Sequence, residues 1–246
     1  SIFTANESDN SGSIYRESCN TGSTVPSVMK IFAWDFHGTL EQGVEVGFAE
    51  ILRDLAREIK YDTTIDLEEV RRLFGISILD YLKHFFPKLS NEKILVLREK
   101  TRTRQNREHI KKYIKPAPYA HEVLAAIKEA GHKNIVVSTS SQRHIKRFLR
   151  VVGLLKYSDE IFGIDRHSLE GEFDIASEKA KAIKSYAKKQ GVDAKNIIVV
   201  GDRPGDVNAG LLIGAKTYQY VNPYNPNIKT ATHYKISDLR KILTEI

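Results

Sequence analysis

The passage Ile197-Ile198-Val199-Val200-Gly201-Asp202-Arg203-Pro204-Gly205-Asp206 decides the fold class. Four consecutive β-branched residues, apolar on both sides of a pleat, are the pattern of a short strand covered on both faces. The run stops at Gly201-Asp202, so the strand delivers a carboxylate at its C-terminal end. The same arrangement recurs upstream: Ile31-Phe32-Ala33-Trp34 runs into Asp35, and Ile135-Val136-Val137 into Ser138-Thr139-Ser140-Ser141. Glu160-Ile161-Phe162-Gly163 and Thr217 to Val221 predict two more strands.

Between these strands the apolar period changes from two to that of a helix. Ile145, Phe148, Leu149 and Val152 share one face, as do Ile183, Tyr186 and Ala187 before Gly191. His121 to Ala130 reads as a helix closed by Gly131, and a last helix is expected from about Ser237. Alternating strands and helices predict an α/β, Rossmann-like parallel sheet with helices on both faces. One stretch breaks the alternation. Phe48, Ile51, Leu52, Leu55 and Ile59 begin it, Leu67 to Phe74 and Ile78 to Phe86 continue it, and a long segment runs from Asn91 to about Ile114. It reads as helical throughout, which predicts an inserted α-helical cap over residues 44–115 within a core formed by 29–43 and 116–246.

Residues 1–28 are too polar to bury a core, being about half Ser, Thr, Asn and Gly up to Ser27, and read as a flexible arm. The only methionine, Met29, stands immediately before the first apolar strand, as a natural start would. The only cysteine, Cys19, allows no intrachain disulfide, which fits a reducing, cytoplasmic setting. No apolar run approaches the ~18 residues that span a bilayer. The formal charge of +7 favours anionic partners without choosing among them.

In open parallel sheets, ligands bind beyond the carboxyl ends of the strands. Three such ends here carry Asp35, Ser138-Thr139-Ser140 and Asp202 with Asp206, and Lys179 adds a cation shortly before the fourth strand. Each piece alone has a plain reading as a turn former, a helix cap or a solvated lysine. Together, three carboxylates, hydroxyls and turn amides suit a hard cation and the oxygens of a phosphoryl group.

Asp35-Phe36-His37-Gly38-Thr39-Leu40 resembles the Asp-x-Asp-Gly-Thr-Leu signature of the haloacid-dehalogenase-like superfamily, in particular its phosphoglycolate-phosphatase-like branch with a helical cap. Thr139 matches its second motif, Lys179 (with Lys181 as an alternative) its third, and Asp202 and Asp206 its fourth. The resemblance implies a magnesium-dependent phosphatase of a small phosphorylated metabolite, monomeric or homodimeric. In it Asp35 is the nucleophile that becomes an aspartyl-phosphate. Asp35, the His37 backbone carbonyl and Asp202 bind Mg2+, and Asp206 positions a water on the metal or Lys179. Thr139 and Lys179, with Ser140 beside them, hold the phosphate oxygens. The chain departs from the signature at His37, where the family's phosphatases place the aspartate that protonates the leaving oxygen; imidazole can carry that role near neutral pH.

Two rivals follow from that departure: a metal-independent dehalogenase, which the Gly201-Asp202-x-x-x-Asp206 pattern opposes, and a catalytically weak relative that binds a phosphorylated ligand or protein. A third comes from the basic stretch Arg98 to Lys115, which includes Arg102, Arg107, Lys111 and Lys112. With Tyr113 its only aromatic, it offers no base-stacking platform, which argues against nucleic acid. Phe74, Tyr81, His84 and Arg102 fit equally well a role lining the substrate side of the helical stretch and one packing its core.

Overall fold

β-branched runs become strands because a branched Cβ is favoured on a pleated surface that is packed on both sides. A computed structural model describes residues 28–105, 108–166 and 173–246. The strands are β1 (Ile31–Trp34), β2 (Glu41–Gln42), β3 (Lys115–Pro116), β4 (Lys133–Ser138), β5 (Glu160–Gly163), β6 (Ile197–Gly201), β7 (Lys216–Tyr220) and β8 (Lys235–Ile236). The helices are α1 (Val44–Glu58), α2 (Leu67–Arg72), α3 (Ile78–Phe85), α4 (Asn91–Gln105), α5 (Ala120–Glu129), α6 (Gln142–Val151), α7 (Ile175–Gln190) and α8 (Pro204–Leu212).

Six strands form one sheet in the order β5-β4-β1-β6-β7-β8, and every neighbouring pair is parallel. Successive residues alternate between two apolar clusters. Phe32, Trp34, Val136, Ile198 and Val200 join the cluster that contains the apolar faces of α1, α5 and α6. Ile31, Ala33, Ile135, Val137, Ile197 and Val199 join the second, closed by Ile183, Tyr186 and Ala187 of α7. The expected α/β architecture is therefore present, with the central strands buried on both faces.

The differences lie at the short elements. β2 and β3 pair antiparallel, Glu41 with Pro116 and Gln42 with Lys115, and this ribbon is where the chain leaves for α1–α4 and returns. Two residues per strand give no readable alternation. The long segment from Asn91 does not stay α-helical: α4 ends at Gln105, and a 3₁₀ helix spans Glu108–Tyr113. Pro116 disfavours helix at the residue before it, which is Lys115 of the ribbon. The final helix is 3₁₀, Leu239–Glu245, capped by Asp238. The polar arm up to Ser27, with Cys19, and Arg107 of the basic stretch lie outside the described residues. Among the described residues, no helix is long and apolar enough to cross a membrane.

Trp34 anchors the centre. It is fully buried, and its indole N–H donates to Asn134 Oδ1 at 3.0 Å. Trp34→Ala opens a cavity and strands that carboxamide oxygen, so urea denaturation should show a loss of about 3–5 kcal/mol.

Candidate active site

The register sets the site. Trp34 lies opposite Val136 on one side and Val200 on the other. The next residue of β1, Asp35, donates its N–H to Val200 O at 2.9 Å, so Asp35 and the Gly201-Asp202 turn emerge together from the sheet. Thr139 and Ser140 follow β4 at the same edge and line the same cavity as Asp35, Lys179 and Asp206. Two glycines admit the close approach. A Cβ on Gly38, at φ +91°, would stand 2.8 Å from Asp202 Oδ2, and one on Gly201 would meet the Asp206 Cβ at 2.2 Å.

Lys179 reaches the carboxylates from the second turn of α7. Its Nζ donates to Asp35 Oδ1 at 2.7 Å and to Asp206 Oδ1 at 2.5 Å. Burial alone would lower this lysine, but Asp206 and Asp35 outweigh it and hold the pKa above its ordinary value, so the ammonium stays charged. Lys181, two residues on, is turned about 200° round the helix; it is exposed and pairs with Glu178 at 2.6 Å. Of the two candidate lysines, only Lys179 joins the carboxylates.

The acids are out of balance with their cations. Burial, followed by the Asp206 charge, raises Asp35 to about 7 against the opposing Lys179. Burial, then Asp35 and Asp206, raises Asp202 well above the carboxylate range, although Arg203 Nε donates to its Oδ2 at 3.2 Å. Asp206 also accepts the Arg203 backbone N–H at 3.0 Å, which fixes the first turn of α8. Asp35, Asp202 and Asp206 each present an oxygen within 4.8 Å of the others. Three clustered, desolvated carboxylates facing so few cations fit a small divalent cation, whose charge would reverse the upward shifts.

His37 sits beside this cluster. Its Nδ1 lies 2.7 Å from Glu41 Oε2, and its Nε2 is buried with no hydrogen bond among the described residues. The ring packs edge-on against Phe36, His144 and Phe148. Burial drives its pKa down to about 3, with Lys179 adding to the shift and Glu45 opposing it, so the imidazole is neutral. Glu41 is fully buried and is raised well above its usual range by burial and by Glu45; its other oxygen accepts the Val44 N–H at 2.9 Å. Sequence reasoning missed Glu41, because a Glu after a turn reads as solvated. It also missed Asn222, whose side-chain amide donates to Gly38 O at 3.0 Å and holds the turn.

The cavity above these groups has a volume of about 1230 Å³. Phe74, Tyr81 and Arg102 line it, Tyr81 while also packing in the core, whereas His84 pairs with Glu69 at 2.8 Å and is not among the lining residues.

Known proteins supply the class. The model of the family described as haloacid dehalogenase-like hydrolase matches residues 32–220, and the chain belongs to that family. The phosphoglycolate phosphatase of Aquifex aeolicus is 26% identical over 223 residues, covering 87% of this chain and 97% of its own. The phosphoserine phosphatase of Archaeoglobus fulgidus is 27% identical over 193 residues, 75% of this chain, and this chain spans only 50% of that relative's length. Among solved structures, a predicted phosphoglycolate phosphatase from Haemophilus somnus superimposes with a TM-score of 0.69 at 19% identity, covering 88% of this chain and 97% of that one. CbbY from Rhodobacter sphaeroides in complex with phosphate gives 0.67 at 15% identity, with 87% and 96% covered. These two likenesses establish the shared fold.

Calorimetric titration with magnesium or manganese should give one bound cation. Asp202→Ala should weaken it by about tenfold or more, since losing even an outer-shell partner has that effect.

Proposed function

We propose that this phosphoric monoester hydrolase requires magnesium and cleaves a small phosphorylated metabolite through a phosphoenzyme formed on Asp35. The observation that carries the reading is the Asp35–Lys179–Asp206 bridge beside Asp202, a nucleophile with its cation at the carboxyl edge of a parallel sheet. Asp35, Asp202 and the His37 carbonyl would hold the metal, with Asp206 orienting its surroundings; magnesium, when bound, cancels charge between the carboxylate and the anionic phosphate.

In the first step an Asp35 oxygen attacks phosphorus in line, the ester P–O bond breaks, and the leaving oxygen takes a proton. His37 Nε2 is the proposed donor. With Glu41 protonated and donating to Nδ1, Nε2 bears the proton; as it leaves, Nδ1 takes the Glu41 proton, and no charged imidazolium forms in the buried site. In the second step water attacks the phosphoaspartate, its proton returns through the same pair, and Asp35 and phosphate are released. Thr139, Ser140 and the Lys179 ammonium stabilise the equatorial oxygens, where charge spreads. We also read α1–α4 as the cap, over residues 44–115, because Phe48, Phe74, Tyr81 and Arg102 come from it to the cavity wall; it would exclude water and select the substrate.

Asp35→Asn should abolish hydrolysis of an aryl phosphate assayed with magnesium while leaving the thermal unfolding cooperative; activity within about tenfold of wild type would remove Asp35 as nucleophile.

His37→Ala should lower kcat on the order of a hundredfold to ten-thousandfold, with Glu41→Gln following in the same direction at unchanged KM, and His37→Asp retaining turnover. If the phosphoenzyme instead accumulates in the wild type without release, the protein is a phosphate-binding relative that does not turn over.

A further inference from the structure

Helix α6 starts at its cap Ser141, directly after Thr139 and Ser140, so its first turn lies at the catalytic end of the cavity. Its apolar side, Ile145, Phe148 and Leu149, is buried in the core. Arg143, Lys146, Arg147 and Arg150 fall at i, i+3, i+4 and i+7, a single helical stripe, and all four line the cavity. A stripe of cations on a solvated helix is ordinary; here Arg143, Lys146 and Arg150 keep their solvent exposure but, with Arg147, also border the open cavity that holds Asp35 and Lys179. Arg102 of α4 and Lys111 line the same volume, and away from Asp35 and Asp206 the only carboxylate that reaches the lining, among the described residues, is Asp165. From Arg143 to Arg150 the stripe runs about 10 Å along the axis at 1.5 Å per residue. Such a wall is far longer than one phosphate needs, and Lys179 already serves the phosphate that reacts.

We propose that this wall binds a second phosphate on the substrate, so that the natural substrate is an extended bisphosphate and not a compact monophosphate. The inference rests on the phosphatase reading above, which fixes where the reacting phosphate lies. Guanidinium forks match phosphate oxygens two at a time, and three of the four stripe residues are arginine. The cavity volume of about 1230 Å³ leaves room for a carbon chain between the two anionic ends.

Non-hydrolysable phosphonates separate binding from turnover. By calorimetry at physiological salt with magnesium, the wild-type chain should bind a linear pentane bisphosphonate at least about tenfold more tightly than pentylphosphonate, because charge-assisted contacts to the far end add to those at the near one. Arg143→Ala/Arg150→Ala, made at exposed helical positions where alanine is well tolerated, should reduce that preference to about the twofold that two equivalent ends give. A preference no greater than twofold in the wild type, or one that survives in the double variant, overturns the proposal. An analogue carrying a carboxylate at the far end should bind more weakly than the bisphosphonate; equal binding would overturn the assignment to phosphate. Should the wild type show the bisphosphonate preference yet hydrolyse no aryl phosphate, the second-anion site stands and the phosphatase reading falls.

Discussion

The structure of the site depends on one buried ammonium. Lys179 joins β1 to α8 by bonding Asp35 and Asp206 at once, and it does so from a third element, α7. Removing one member of such a group leaves a charge buried without its partner, which typically destabilises by about 3–5 kcal/mol. Yet the bridge is not neutral. With Asp202 included and Arg203 counted beside it, three carboxylates face two cations. Water cannot supply the missing charge in a buried cleft, so either a carboxylate takes a proton, as the raised pKa of Asp35 implies, or a cation enters. A phosphate dianion arriving at the same place would make the shortage worse, and the cation of the proposed reaction would answer both demands.

The strands that carry this site were legible because their central residues are apolar on both faces and they run directly into polar residues. β1, β4 and β6 meet both conditions. β2, β3 and β8 have two residues each and owe their pairing to neighbours distant in sequence, which a local pattern cannot carry. The helical insertion was legible as helix, but its 3₁₀ turn at Glu108–Tyr113 follows from where the chain must return to pair with Gln42.

For the site residues, the lysine was readable in hindsight. Lys179 continues the face of Ile183, Tyr186 and Ala187, all buried, whereas Lys181 lies off it. The phase of the apolar stripe, extended back one turn, separates them. Glu41 carried no such signal. It is buried because the chain doubles back at His37-Gly38-Thr39, with Gly38 N–H donating to Glu41 O at 2.9 Å, and that turn brings the carboxylate under the imidazole.

This pairing gives a physical account of the departure from the family signature. An aspartate at position 37 would place a fourth carboxylate beside Asp35, Asp202 and Asp206, in a cluster that already lacks positive charge. Here a carboxyl is still present, but it belongs to Glu41 and stands behind a neutral ring. In the proposed reaction the ring presents a transferable proton to the substrate while the acid that replenishes it stays one bond network away. The proton donor is then uncharged, which adds no further repulsion of an anionic substrate to that of the carboxylates. The cost is a stricter demand on geometry, because the relay works only while Nδ1 and Glu41 Oε2 remain in contact. The edge-on packing of Phe36, His144 and Phe148 around the imidazole limits its rotation and serves that demand.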